Sequence, residues 1–131
     1  MNRNSVNPWP WSVEMGFNQG ELVTGQHRTL HLSGQSAMGA GGAPMHAGDM
    51  AAQIELSVDN IEAVLAEAGM DLSNLVKLNI YTTDVDLLME SYGVLAARLG
   101  ALGTAPPGSL LGVSRLAFPE LMVELEATAA D

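Results

Sequence analysis

Asp49-Met-Ala-Ala-Gln-Ile-Glu-Leu-Ser-Val-Asp-Asn-Ile-Glu-Ala-Val-Leu-Ala-Glu-Ala-Gly69, followed by Leu75-Val-Lys-Leu-Asn-Ile-Tyr81, is the stretch on which the fold turns. Ile54, Val58, Ile61, Leu65 and Ala68 recur at spacings of three and four, the period of one apolar helix face. Asp49 offers an N-cap oxygen and Gly69 a C′ stop, which predicts a helix of about five turns. The period then drops to two. Val76, Leu78 and Ile80 face inward while Lys77, Asn79 and Tyr81 face outward, as in a strand buried on one side.

Toward the C-terminus, Asp84 or Asp86 caps a second helix, with Leu88, Tyr92, Leu95 and Leu99 on one face and its end at Gly100. Thr104-Ala-Pro-Pro-Gly-Ser109 follows. Pro106 and Pro107 hold the chain extended, and Gly108 lets the backbone turn or come close to another group. Strands are expected near Ser109–Leu116 and Met122–Thr128. In the last, Leu121, Val123, Leu125 and Ala127 alternate with Met122, Glu124, Glu126 and Thr128, so one face is core and the other bears two carboxylates.

Toward the N-terminus, Ser36–Gly48 is rich in Gly, Ala and Met without periodicity and is expected to be a loop. Its glycines lack the lysine and the strand-to-helix context of a phosphate cradle. Phe17–Val23 and Thr29–Ser33 read as strands joined in a hairpin through Thr24-Gly25-Gln26-His27. Residues 1–15 read as an irregular arm anchored by Trp9 and Trp11. The whole of 1–131 is then a single α+β domain of order ββαβαββ, a mixed sheet with two helices packed on one face. The other face would carry Ser33, His31, Lys77, Asn79, Glu124 and Glu126 beside Leu110, Gly112 and Met122. That mixture implies burial against copies of the chain, with pockets between subunits.

Fifteen acidic against five basic residues give a net charge of −10, which repels a phosphate backbone and argues against nucleic acid as a partner. With no cysteine there is no disulfide, thiol nucleophile or Cys-ligated metal, which fits the cytoplasm. No apolar run is long enough to span a membrane. His27, His31 and His46 lack ligand spacing, so neither a metal nor another cofactor is expected. His31 is a proton donor only if it lines a pocket, and the Met38–Met50 stretch suits a mobile cover for an apolar ligand.

Ser33-Gly34-Gln35, the helix Asn60–Gly69, the strand Leu75–Tyr81, the Pro-x-x-Ser rim and Val123-Glu-Leu-Glu-Ala127 resemble the Rid/YjgF family from about Gly16 to Ala127. That resemblance implies a chorismate-mutase-like fold, a homotrimer with sites at subunit interfaces, and deamination of reactive enamines and imines. It also implies Glu124 and Ser33 as catalytic residues, with Phe17, Gly34, Met89, Gly108, Ser109 and Leu110 binding substrate. Glu124 would orient the attacking water, and Ser33 Oγ with the Gly34 N–H would hold a substrate heteroatom. From the residues alone, Glu124 and Glu126 serve equally well as rim residues paired with Lys77 or Arg115.

The chain also departs from the family pattern. Gly108 stands where the resemblance places an arginine that clamps the substrate carboxylate, Phe17 where it places a tyrosine, Met89 an asparagine and Leu110 a cysteine. Loss of a bidentate carboxylate partner costs about 2 to 5 kcal/mol. The expected substrate is therefore an imine, enamine or similar reactive metabolite other than a standard 2-imino acid, hydrolysed or tautomerised. The alternative is a non-catalytic trimer that binds a metabolite or a partner protein in the same clefts. Ribonuclease activity, also described for Rid-like proteins, fits the charge least.

Overall fold

The computed structural model of the chain describes residues 1–131. In chain order it contains β1 (Asn2–Val6), α1 (Trp11–Glu14), β2 (Gly20–Thr24), β3 (Thr29–His31), β4 (Gln35–Ser36), α2 (Met50–Glu67), β5 (Leu75–Thr82), α3 (Val85–Gly100), β6 (Leu110–Gly112) and β7 (Val123–Ala130). The main sheet runs β3-β7-β5-β6, and β4 lies beside β3 along the same edge of β7. β5 and β6 are parallel, whereas the pairs to β7 are antiparallel, so the sheet is mixed as expected.

Both long helices begin where the sequence places their caps. The Asp49 carboxylate accepts from the Ala52 N–H at 3.0 Å, and Asp84 does the same for Leu87 at 3.0 Å. Gly69 takes φ +74°, the left-handed C′ conformation in which only a residue without Cβ is unstrained. Ile54, Val58, Ile61 and Leu65 from α2, with Leu88, Leu95 and Leu99 from α3, form one core with Leu78, Ile80, Val123 and Leu125 of the sheet. Each such side chain contributes about 1.5 to 3 kcal/mol when fully buried.

Among the expectations that fail, three concern the strands of the first half and the start of β5. Residues 1–15 are not irregular: β1 pairs antiparallel with β2, from Asn2 opposite Thr24 to Val6 opposite Gly20, in a sheet of two strands. That pairing also removes the hairpin expected at Thr24–His27, because β2 takes β1 as its partner and β3 pairs with β7. The physical reason is Arg3. It donates to the Leu75 carbonyl at 2.7 Å and to the Ser73 carbonyl, and its Nε meets the Glu21 carboxylate at 2.8 Å. Third, Val76 is only half-buried and Leu75 is fully buried, since a bulge between Leu75 and Lys77 reverses the alternation there.

Trp9 and Trp11 are both exposed, so they do not anchor the arm through burial. No helix is long and apolar enough to cross a membrane.

Candidate functional site

Alternation along β7 decides which groups can meet. Val123, Leu125 and Ala127 are buried under the helices, so Glu124 and Glu126 project from the opposite, open face. In register, Tyr81 lies opposite Glu124 and Asn79 opposite Glu126. The Glu126 Oε1 accepts from Asn79 Nδ2 at 3.0 Å and from the Tyr81 hydroxyl at 2.9 Å. These bonds, Asn79 first, hold the Glu126 carboxyl below the ordinary carboxylate range, and the same contact pushes the Tyr81 phenol up. Asn79 Oδ1 in turn accepts from the Ser109 N–H at 3.1 Å, tying the edge loop to this network.

Glu124 has different company. Ser36 Oγ lies 3.4 Å from its Oε1, and its carboxylate rests on Gly34, where a Cβ would come within 2.5 Å of Cδ. Gly34 is therefore a glycine because the carboxylate occupies its side-chain space. Asn60 of α2 positions this arrangement by donating to the Ser36 and Met38 carbonyls at 2.9 and 3.0 Å. Ser33 is exposed beside it. The structure thus brings Gly34 and Glu124 into contact on the open face, with Ser33 the residue before Gly34 in the chain. Neither glutamate forms a direct ion pair with Lys77 or Arg115, although the Lys77 charge also helps to hold the Glu126 carboxyl down.

The remaining sequence-selected residues gather elsewhere. A cavity of about 300 Å³ opens at the sheet edge, floored by Leu78 and Ile80 and walled by Met89 and Tyr92 of α3. Gly108, Ser109 and Leu110 line one side and Phe17 another. Leu110 pairs with Ile80 and Gly112 with Thr82, so these two lie on the helix side, and Leu111 takes the open face instead. Parity in so short a strand, entered from two prolines and a glycine, is not readable from alternation.

Glu124, Ser33 and Gly34 do not line this cavity. Glu124, with Gly34 beneath its carboxylate, stands on the opposite side of the sheet, since Glu124 neighbours Tyr81 while Ile80 forms the cavity floor.

Gly108 comes close to another group, as its position suggested. A Cβ there would stand 1.6 Å from the Leu78 carbonyl oxygen, with the Leu78 N–H bonded to the Pro107 carbonyl at 3.0 Å. No side chain fits on this backbone.

Gln53 and Asn60, both on α2, add polar contacts that the apolar period of the helix does not announce. Gln53 is fully buried, donates to the Glu120 carbonyl at 2.7 Å and the His46 carbonyl at 3.1 Å, and accepts from the Met122 N–H at 2.8 Å. An amide beside Ile54 on an apolar helix face was the available signal. His27, His31 and His46 form no cluster with acidic residues that could hold a metal ion. His31 lies on β3 opposite Thr128, outside the cavity.

An α+β domain with an open polar sheet face and an apolar cavity at its edge is the class defined by these features. A protein-family model described as endoribonuclease L-PSP matches residues 13–131. Among solved structures, the chain is similar to YyfB of Yersinia pestis, a member of the Rid family, with 34% identity, 99% of each chain covered and a TM-score of 0.86. It is also similar to the Escherichia coli YjgF gene product, with 27% identity, 87% of each chain covered and a TM-score of 0.71. E. coli TdcF, solved with bound serine, shares 25% identity over 88% of this chain and 87% of its own, with a TM-score of 0.72.

Among curated proteins, DfrA of Myxococcus xanthus is 41% identical over 76 residues, 58% of this chain and 53% of its own length. A RutC family protein of Pyrococcus abyssi is 32% identical over 82 residues, 63% of this chain and 62% of its own length. The matches thus span about half to three fifths of those two relatives. The chain belongs to the Rid/YjgF family, and its fold is that family's chorismate-mutase-like fold.

Proposed function

We propose that this chain is a Rid-type hydrolase acting on an imine or enamine, and that it works as a homotrimer in which the open face of one subunit meets the cavity of the next. The observation that supports this reading is the division of the candidate site: Glu124 over Gly34 lies on one sheet face and the apolar cavity on the other. Chemistry that needs both requires a second copy.

In the proposed step Glu124 holds a water beside the C=N carbon. The water adds to carbon, its proton passes to the carboxylate, and nitrogen takes up a proton. The carbinolamine then collapses to a carbonyl compound and ammonia. An enamine first tautomerises to the imine. Ser33 Oγ and the Gly34 N–H hold a substrate heteroatom. Because Gly108 has no side chain and the cavity lining has no cation, the substrate lacks an α-carboxylate. A charge of −10 disfavours the ribonuclease chemistry in the family description, and the cysteine-free composition suits the cytoplasm.

A coupled assay tests this. An amino-acid oxidase releases 2-imino acids, a neutral imine is run in parallel, and ammonia is measured. Faster release from the neutral imine, little from 2-imino acids and loss of both in Glu124→Gln is the expected pattern. Turnover that survives Glu124→Gln overturns the role of the carboxylate.

The second reading, a trimer that only binds a metabolite, is favoured by one observation: Met89, Leu110 and Phe17 line the cavity and no carboxylate does. No acceleration of any imine, with ligand binding retained, establishes it instead.

A further inference from the structure

The cavity contains no charged side chain, and nine of its thirteen lining residues are hydrophobic. Its polar side chains are the Tyr92 phenol and the Ser109 hydroxyl. Tyr92 forms no hydrogen bond within the chain, unlike Tyr81, whose hydroxyl is committed to Glu126. Burial pushes the Tyr92 phenol up, so at neutral pH it carries its proton and acts as a donor. The phenol is half-buried and lines the cavity, so its O–H is available to an acceptor that a ligand brings in.

A carboxylate entering the cavity finds no cation in the lining that this chain supplies. The arginine of α3, Arg98, belongs to a groove on another side of the helix, where Asp59 at 2.8 Å, Glu62 at 3.2 Å and Glu55 hold it. Without a cation, burying an anion costs several kcal/mol or more. The volume, about 300 Å³, is at the low end for small-molecule pockets and suits a single ring.

The mouth adds a second, independent observation. Met15, Gly16 and Phe17 form its outer wall, and Trp11 meets Phe17 edge to face, with centroids 5.9 Å apart and planes at 82°. Residues 1–12, which carry Trp11, lie before the stretch matched by the family model. The lip is therefore built partly from the N-terminal arm, ahead of that stretch.

We propose that this cavity is the subsite that sets substrate choice, accepting an uncharged, ring-sized apolar group with a hydrogen-bond acceptor that meets Tyr92, beneath a lip formed by Trp11 on Phe17. The proposal rests on reading the cavity as the binding half of the site. It names the substrate class that the Gly108 position leaves open: neutral, aromatic or similarly bulky imines.

Benzamide, toluene, benzoate and serine serve as probes, titrated by calorimetry and by tryptophan fluorescence. The two tryptophans, Trp9 and Trp11, both sit in the arm, so fluorescence reads the lip directly. Benzamide is expected to bind at least about tenfold more tightly than benzoate or serine, a difference of about 1.4 kcal/mol. Tyr92→Phe weakens benzamide about fivefold or more and leaves toluene unchanged, as loss of one hydrogen bond requires. Trp11→Ala, followed by calorimetry, weakens both.

Benzoate or serine binding as tightly as benzamide overturns the proposal. So does equal loss of toluene in Tyr92→Phe, or failure of every probe to bind up to about 10 mM, beyond any useful affinity. The same titration in Glu124→Gln separates this proposal from the hydrolase reading. Retained binding with lost turnover supports both, whereas turnover of a small imine without probe binding overturns only the subsite.

Discussion

Gly108 and Gly34 are both glycines because something stands where a Cβ would be, but the obstacles differ in kind. At Gly108 it is the Leu78 carbonyl, part of the sheet backbone, so Gly108→Ala forces the edge loop to move. We expect a loss of about 2 kcal/mol, read as a lower denaturation midpoint. At Gly34 it is the flexible end of Glu124. Gly34→Ala should leave the melting temperature nearly unchanged while displacing the carboxylate and lowering turnover by about tenfold or more. Equal effects of both changes on stability would contradict this distinction. An arginine at position 108 is likewise blocked by the Leu78 carbonyl, so grafting one requires rebuilding the loop rather than exchanging a side chain.

Glu126 gives a pH prediction at the same scale. Its folded pKa lies below the ordinary 4.5, so its stabilising contribution is complete above that value and fades as pH falls through the folded pKa. Removing the phenol in Tyr81→Phe should raise the Glu126 pKa toward the ordinary value, observable by following its carboxyl carbon by NMR. An unmoved titration would show that the Tyr81 bond does not act on this group.

Among the elements, α2 supports the site as well as the core. Gln53 fixes the chain leading into β7, and Asn60 fixes the chain leaving β4, so the two strands bearing Glu124 and Ser36 are registered from one helix. Gln53→Leu leaves a buried N–H and carbonyls without partners and should cost about 2 to 4 kcal/mol by chemical denaturation. The arm depends on Arg3 in a similar way. Arg3→Ala strands Glu21, whose side chain is only 5% exposed, and should cost about 2 kcal/mol, with faster amide exchange in β1.

These elements also mark the limit of what the sequence discloses. α2, α3, β5 and β7 were legible because each carries its own period and caps. The β1 strand was not, since Asn2, Arg3, Asn4 and Ser5 show no apolar alternation and the strand exists through Arg3 and β2. Residues of the candidate site were legible by type, but their division between two faces depended on the parity of β6, a three-residue strand.

At the scale of the whole molecule, the proposed trimer should appear in light scattering at three times the chain mass of 13.7 kDa. A species of one chain mass that still turns over an imine would sink the shared-site reading. The charge of −10 disfavours binding to nucleic acid, most strongly at low salt where the repulsion is least screened. The open face and the cavity, placed on opposite sides of one sheet, make each proposed site the joint property of two copies. A chain with Glu124→Gln and a chain whose cavity is filled would each be inactive alone, yet trimers assembled from both would regain working sites wherever an intact carboxylate meets an intact cavity. In genetic terms, two defective alleles of this protein would complement each other.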